Sequence, residues 1–362
     1  MNSAVTGEGT LQSTWKKRGL FWLGIGISAF FLYLVFRSID GTKLLAALRS
    51  MDLRFLLPAV AATLFSYYAR AYRWKLLLLE DKKTSMGNLF AATSIGYMAN
   101  NLLPARVGEL VRVYVLGEKE KIDKGTVFAS LVLDRLFDGF SVLFILLATL
   151  FTLQLPGDDA EIRAALMTGG YVTVAAYLGI VAFLVLLKKK TIATLHFAAL
   201  LLKPFSPRIA EKVIPLLGSF IQGIRLSSRA SIFLGLVASS VIIWAFAIWP
   251  IDLALQSFGI DLPLTASLFI MVLLVIAVLV PASPGYIGTY HYACFKALTA
   301  FGIGSEKAVS VALVIHALNF FPITLLGLYY LARGRMSLAG LRKGNDNLTT
   351  PQPPPASGGS AR

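Results

Sequence analysis

Two interruptions divide the apolar part of this chain: GYMANNLLPARVGE at residues 96–109 and PASPGYIGTYH at residues 281–291. Each places proline, glycine and polar side chains inside a sequence that is otherwise apolar enough to enter a membrane. Backbone groups that lose their helical partners cost several kcal/mol each in hydrocarbon unless protein or water satisfies them. Breaks of this kind mark polar substrate sites in transporters, so these two segments are the first candidates for function.

The composition supports an integral membrane protein. Of the 362 residues, 56% are hydrophobic and 15% are charged, and the mean hydropathy is +0.71. A soluble domain carries charge on about a quarter of its residues. The net charge of +15 arises from basic loops between apolar windows, which favours anionic lipid and excludes nucleic acid as the expected partner.

Apolar windows predict an all-α polytopic membrane protein with about six full transmembrane helices. The windows lie at residues 19–36, 55–74, 126–153, 168–187, 231–251 and 307–331. Between them lie the two interrupted segments, 86–104 and 264–302, as broken re-entrant hairpins. The predicted organisation is a cytoplasmic segment at 1–18, one transmembrane domain at 19–331 and a disordered cytoplasmic tail at 332–362.

Loop charge predicts the orientation. The loop at 188–230 and the C-terminus are basic, whereas the loops at 154–165 and 252–262 are acidic. By the positive-inside rule both termini are cytoplasmic, in a multi-pass protein of the bacterial inner membrane. The basic loop at 37–54 then falls outside, which conflicts with the rule. Residues 191–222 are either an amphipathic interfacial element or a partly ordered loop.

With these assignments the first broken segment enters and leaves from the cytoplasm, and the second enters and leaves from outside. Residues 54–153 and 231–331 therefore form two blocks with the same element order and opposite orientation. Transporters with such inverted repeats place the substrate site between the repeats, near the midplane. Because no residue-level similarity between the blocks is evident, the inverted repeat is an inference from topology.

The first break and the span before it supply basic residues. Arg106, Glu109 and Arg112 recur every three residues, so on a helix they share one face. If Pro104 begins that helix, its amides and Arg106 converge on a spot that suits a lipid phosphate. Arg70 and Arg73 either bind the headgroup or extend to the cytoplasmic interface as positive-inside residues. Two amides complete this candidate set, Asn100 and Asn101.

A second charged group lies inside an apolar run. Asp134, Arg135 and Asp138 are close enough in sequence to form a neutralised structural pair. Charges within membrane helices also tend to face a cavity or a partner. We therefore expect Asp134 or Asp138 to be the counter-ion of an arginine or a proton carrier.

The second break offers glycines, hydroxyl groups and an imidazole. The candidates here are Ser283, Gly285, Gly288, Thr289 and His291. His291 is either a packing residue or a proton relay, and His316 is expected to form a structural hydrogen bond between helices. The scattered histidines and the single cysteine show no metal-ligand spacing, so neither a metal nor a cofactor is expected.

At these residues the chain resembles the flippase-like, or lysylphosphatidylglycerol synthase transmembrane, family, which forms the membrane half of the multiple peptide resistance factor. The matching motifs are RAYRW at 70–74, NNLLPARVGELVR at 100–112, DRLFD at 134–138 and PASPGYIG at 281–288. The resemblance implies a stand-alone translocating half without the aminoacyl-transferase domain. The chain departs from the family pattern at His291, near a usual glutamate, and at His316, near a usual arginine.

The predicted function is therefore translocation of a phosphate-bearing or modified lipid between membrane leaflets. Its expected partners are membrane lipids with anionic headgroups. A separate lipid-modifying enzyme and a second copy of the chain are further candidates. Two alternatives stay open: a membrane-embedded transferase that uses Glu109 or Asp134 as a base, and a non-catalytic scaffold for a lipid-synthesis complex.

Overall fold

A computed structural model describes residues 7–37, 39–79, 82–103, 106–152, 160–205, 207–223, 229–280 and 283–334. The helices in these ranges are α1 (Gly7–Phe36), α2 (Gly41–Arg49), α3 (Leu56–Leu78), α4 (Met86–Leu102), α5 (Gly108–Glu120), α6 (Lys124–Thr152), α7 (Ala160–Lys189), α8 (Thr191–Phe205), α9 (Pro207–Gly223), α10 (Ala230–Ser257), α11 (Leu264–Leu279), α12 (Thr289–Ala300) and α13 (Ser305–Arg333). Short 3-10 turns lie at Leu53–Phe55 and Pro284–Tyr286. Throughout these ranges the regular structure is helical, as predicted.

Three helices are long and apolar enough to cross a membrane within the part of the chain described. They are Met167–Lys189 within α7, Ala230–Ser257 and Ser305–Arg333. A fourth candidate is the pair Trp22–Phe36 and Gly41–Arg49, which are bent by 86°. The other predicted spans correspond to α3 and α6, which carry buried charges. Length and composition alone therefore do not establish six spans.

The first interrupted segment is an antiparallel helical hairpin of α4 and α5. At its open end Asn88 Nδ2 donates to Glu120 Oε1 at 2.7 Å, and near the turn the Gly108 amide donates to Asn100 Oδ1 at 2.8 Å. The helices touch because Gly96 has no side chain. A Cβ there would lie 2.2 Å from Arg112 Cγ. The hairpin extends to Glu120, well beyond the predicted end at residue 104.

The second interrupted segment has the same form, with α11 and α12 as its arms. Near the open end the rings of Phe269 and Phe301 are 5.8 Å apart. Gly288 turns the chain with a φ of 95°, and a Cβ there would lie 2.5 Å from the carbonyl oxygen of Ser28 in α1. Both breaks are thus the turns of helical hairpins.

One prediction at the first break is wrong. Helix α5 begins at Gly108, while Pro104 lies outside the described residues. Arg106 has a left-handed φ of 52°, which a continuing helix does not allow. Arg106 is therefore not on the helical face that Glu109 and Arg112 share.

Helices α3 and α10 form the central pair, and they run antiparallel. The Asp52 amide just before α3 donates to the Ser257 carbonyl at the end of α10, at 2.8 Å. Ser66 Oγ in mid-helix donates to the Ile243 carbonyl at 2.9 Å. Near the end of α3, Gly235 allows Leu76 to pack on the start of α10. This pair gives the hairpins a common wall.

The predicted interfacial region at 191–222 is helical where it is described. It consists of α8 and α9, which pack on each other, and α9 also packs on α6. Helix α1 includes residues 7–18 of the predicted N-terminal segment. The predicted tail lies outside the described residues from residue 335 onward.

Candidate functional site

Seven charged side chains from α3, α5 and α6 meet inside the helical bundle. We call them the charge cluster: Arg70, Arg73, Glu109, Arg112, Asp134, Arg135 and Asp138. Four arginines face three carboxylates, so with every carboxyl group ionised the cluster holds one positive charge in excess. Five of the seven residues are buried, whereas the side chains of Arg135 and Glu109 are 38% and 33% exposed. The excess positive charge favours an anionic ligand.

Asp138 is the centre of the charge cluster. Its carboxylate accepts hydrogen bonds from Arg70 Nη1 at 2.9 Å, from Arg73 Nη2 at 2.7 Å and from Arg135 Nη1 at 2.9 Å. These ion pairs are the arrangement expected of a counter-ion, one of the two roles predicted from the sequence. A carboxylate that binds three guanidinium groups holds α3 and α6 together.

Arg73 is fully buried, with 0% exposure. Its Nε donates to Asp134 Oδ1 at 2.8 Å and its Nη1 to Ser240 Oγ on α10 at 3.1 Å. Arg70 is also buried. The interpretation of these arginines as residues that extend to the interface is therefore wrong, because both side chains turn into the bundle.

Arg112 is the least satisfied member of the charge cluster. Its residue is 1% exposed, yet none of its three guanidinium nitrogens forms a hydrogen bond with the described residues. The guanidinium lies over the Trp74 ring at 4.4 Å, and its nearest carboxylate oxygens are on Glu109 at 3.5 Å and Asp134 at 3.7 Å. Arg112 thus carries a buried positive charge whose N–H groups form no hydrogen bond with the described residues.

A cavity of about 150 Å³ adjoins the charge cluster through Arg70. Its lining comes from α3, α4, α10, α11 and α13, so it lies between the two hairpins and the central helix pair. The lining residues are Thr63, Ser66, Tyr67, Arg70, Tyr97, Trp244, Ala247, Met271, Val275 and Asn319. Arg70 thus joins the charge cluster to a space that can hold a small polar group.

The two breaks touch each other. Arg106 Nη1 donates to the Val278 carbonyl near the end of α11 at 3.2 Å, and its guanidinium lies 5.7 Å from the Tyr286 ring centre. Asn101 Nδ2 donates to Thr324 Oγ1 on α13 at 2.8 Å. Arg106 and Asn101 therefore join the halves of the molecule, at a position apart from the cavity lining.

The candidate residues of the second break hold its loop in place. His316 Nε2 donates to the Gly285 carbonyl at 2.7 Å, and His291 Nδ1 accepts from the Gly288 amide at 3.3 Å. The Ser283 amide donates to Ser28 Oγ at 2.9 Å. Thr289 Oγ1 donates to the Tyr286 carbonyl at 3.3 Å. These contacts favour the packing interpretation of His291. The hydrogen bond of His316 joins α13 to the turn at Gly285 and not to another α-helix, as had been expected.

The structure thus joins the sequence-predicted arginines and carboxylates of α3, α5 and α6 by ion pairs. Arg106 instead contacts Val278 and Tyr286 of the second hairpin, and the second-break candidates take part in none of these ion pairs. Within the described ranges, no group of three His, Cys, Asp or Glu residues is arranged to hold a metal ion. The site is built from guanidinium, carboxylate, aromatic and amide groups, which suit recognition of an anion.

Residues 21–327 match the family described as the lysylphosphatidylglycerol synthase TM region. This protein belongs to that family. Glycosyltransferase AglD of Haloferax volcanii is 25% identical over 342 residues, which cover 88% of this chain and 55% of AglD. The chain thus spans about half the length of that relative.

Two further relatives match nearly end to end. A UPF0104 membrane protein of Pyrococcus horikoshii is 27% identical, with 84% of this chain and 93% of the relative covered. A UPF0104 membrane protein of Methanothermobacter thermautotrophicus is 23% identical, with 86% and 94% covered. No solved structure matches the chain.

The uncharged residues of the site were not predicted from the sequence. Tyr97, Trp244 and Asn319 line the cavity, and Trp74 covers Arg112. In the sequence, nothing distinguishes these residues from aromatic and amide residues elsewhere in the apolar helices.

Proposed function

We propose that this protein moves a phosphate-bearing lipid between the leaflets of a membrane. The cavity is the observation that carries the proposal, because it lies between the two hairpins and exposes Arg70 of the charge cluster. The excess positive charge of the charge cluster attracts the headgroup phosphate, and the acyl chains stay in the surrounding lipid.

Two inverted repeats provide the means of alternating access in this proposal. Helices α3–α6 form the first repeat and α10–α13 the second. The contact of α4 with α13 corresponds to the contact of α11 with α6. Within the hairpins, the contact of α4 with α5 corresponds to the contact of α11 with α12. The first helices of the repeats, α3 and α10, run antiparallel, as inverted repeats require.

The turns of the two hairpins support the same arrangement. Their sequences are PARVG at 104–108 and PGYIG at 284–288. Arg106 and Tyr286 hold corresponding places in these sequences and both have left-handed φ values, 52° and 57°. A shared proline, a left-handed residue and a glycine at the start of the returning helix are expected of two copies of one ancestral turn.

In the proposed topology α1, α3, α6, α7, α10 and α13 span a bacterial inner membrane, and both hairpins are re-entrant. Both termini and α8–α9 are cytoplasmic. The first hairpin opens toward the cytoplasm and the second toward the outside. Each leaflet then has a hairpin that can admit a headgroup to the cavity.

The second candidate function is a membrane-embedded lipid-modifying transferase, which the similarity to glycosyltransferase AglD favours. Glu109 Oε2 and Asp134 Oδ2 are buried without hydrogen-bond partners among the described residues, so either could accept a proton from a headgroup hydroxyl. A transferase must change its lipid chemically, whereas a translocator leaves it intact.

Leaflet exchange in proteoliposomes tests the proposal. Lipids labelled on an acyl chain are placed in both leaflets, and an impermeant quencher reports how fast the inner pool becomes accessible. We expect exchange that depends on the protein, with unchanged lipid by mass spectrometry. Modified lipid without exchange would establish the transferase, and neither result with any anionic lipid would reject both functions.

A further inference from the structure

The cavity lining is rich in hydrogen-bond donors and poor in negative charge. Arg70 is the one charged residue among the ten described residues that line it. Only Nη1 of Arg70 donates to Asp138, so Nε and Nη2 form no hydrogen bond with the described residues. Arg70 therefore keeps two guanidinium nitrogens that can donate to an acceptor in the cavity, such as a phosphate oxygen.

No carboxylate is available to a cationic headgroup. Asp138 is held by three arginines, and Asp134 is held by Arg73 with Arg112 close by. Glu109 lies beside Arg112 and Arg135 and is absent from the cavity lining. An ammonium group that entered the cavity would meet a guanidinium and no counter-ion.

Two of the three aromatic rings that line the cavity already lie against a cation. The Arg70 guanidinium lies 5.4 Å from the Trp244 ring centre and 5.9 Å from the Tyr97 ring centre. Aromatic faces can replace carboxylates in binding ammonium groups when they are free. Here Arg70 already lies against the Trp244 and Tyr97 rings, so its charge repels a second cation from the cavity.

The cavity is small, with a volume of about 150 Å³. A phosphate group with a small substituent suits this space better than a phosphate extended by glycerol and an amino acid.

We infer that the lipid carried by this protein has a compact phosphate headgroup without an amino group, of which a phosphate monoester is the simplest example. This inference rests on the proposed lipid translocation and names its substrate class. Arg70 binds the phosphate oxygens, and the lack of a free carboxylate in the cavity lining excludes aminoacylated headgroups.

A headgroup series tests the inference in the same proteoliposomes. The probes are acyl-labelled phosphatidic acid, phosphatidylglycerol and lysylphosphatidylglycerol, which share one scaffold and differ in headgroup size and charge. We expect phosphatidic acid to exchange fastest and lysylphosphatidylglycerol at least about tenfold more slowly, the ratio that 1.4 kcal/mol of discrimination gives.

The variant Asn319→Asp tests whether the charge of the cavity, and not its size, determines which headgroup is exchanged. The new carboxylate keeps the shape of the amide and can accept a hydrogen bond from the Tyr290 hydroxyl, which Asn319 now contacts at 3.2 Å. We expect this variant to lose exchange of phosphatidic acid and to gain exchange of lysylphosphatidylglycerol. Asn319→Ser removes the amide without adding charge, so it should retain the preference for phosphatidic acid.

The outcomes are distinct. Equal or faster exchange of lysylphosphatidylglycerol by the unaltered protein would overturn the inference and leave lipid translocation intact. Absence of exchange for every lipid would instead reject the proposed function. Labelled inorganic phosphate trapped inside the vesicles should be retained during lipid exchange. Its protein-dependent release would overturn the inference by assigning the site to the free ion.

Discussion

At the scale of single residues, the four arginines of the charge cluster have different roles. Arg73 and Arg135 are engaged with carboxylates and with Ser240 or Tyr97. Arg112 is enclosed between Trp74 and the carboxylates. Only Arg70 both joins the charge cluster and lines the cavity. The cluster therefore holds one arginine at the cavity and uses the others as support.

Asp138→Asn should strongly destabilise the protein. The substitution removes the charge that Arg135 shares with the buried Arg70 and Arg73, and breaking a buried ion pair costs about 3–5 kcal/mol. Thermal unfolding in detergent should show a clearly lowered midpoint. Asp52→Asn is the matched control, because its partner Arg54 has a side chain that is 92% exposed and exposed pairs contribute about 0–1 kcal/mol. Equal midpoints for the two variants would contradict the structural role of Asp138.

At the scale of elements, the first hairpin depends on close contact between its arms. Gly96 lies against Arg112 Cγ and the Gly108 carbonyl, and Gly327 of α13 lies against Met98 of α4. Small residues at these crossings let backbones approach, as in other membrane helix pairs. The position of Arg112 beside Asp134 follows from this packing.

Gly96→Ala should separate α4 from α5 and lower both the thermal midpoint and lipid exchange. The added Cβ would lie 2.2 Å from Arg112 Cγ and 2.9 Å from the Gly108 carbonyl oxygen, so the arms must move apart. Gly179→Ala makes the same change within α7, where no atom lies within 4 Å. This control should be neutral or stabilised by up to about 1 kcal/mol. A Gly96→Ala protein as stable and active as the control would show that the hairpin tolerates separation.

Helix periodicity and the two breaks were visible in the sequence, and so were the arginines and aspartates that meet in the charge cluster. The first residue of α5 could not be predicted from the sequence. Pro104 suggested a helix start, but the left-handed backbone at Arg106 delays the helix to Gly108. The neutral cavity residues Tyr97 and Trp244 also escaped prediction, because an aromatic residue in an apolar helix has the same pattern whether it faces lipid or a cavity.

At the scale of the whole molecule, the hairpins should open toward opposite sides of the membrane. Lys119 lies at the open end of the first hairpin and Gly304 beyond the open end of the second, and both are exposed. In a Cys294→Ser background, single cysteines at these positions can be labelled with an impermeant maleimide in sealed right-side-out vesicles. Gly304→Cys should react, and Lys119→Cys should react only after permeabilisation. Labelling of both from one side would reject the inverted topology.

We propose that a lipid phosphate crosses the membrane through the cavity at Arg70. The exchange rate of acyl-labelled phosphatidic acid should be measured with Arg70→Gln and with Arg54→Gln, at equal amounts of folded protein. The first variant removes the cavity arginine and the second an arginine of an exposed ion pair. We expect Arg70→Gln to slow exchange by about tenfold or more, as for loss of a charged hydrogen bond worth about 1.5–3 kcal/mol. Arg54→Gln should leave the rate unchanged. Full exchange by a folded Arg70→Gln protein would contradict a role of Arg70 in binding the phosphate.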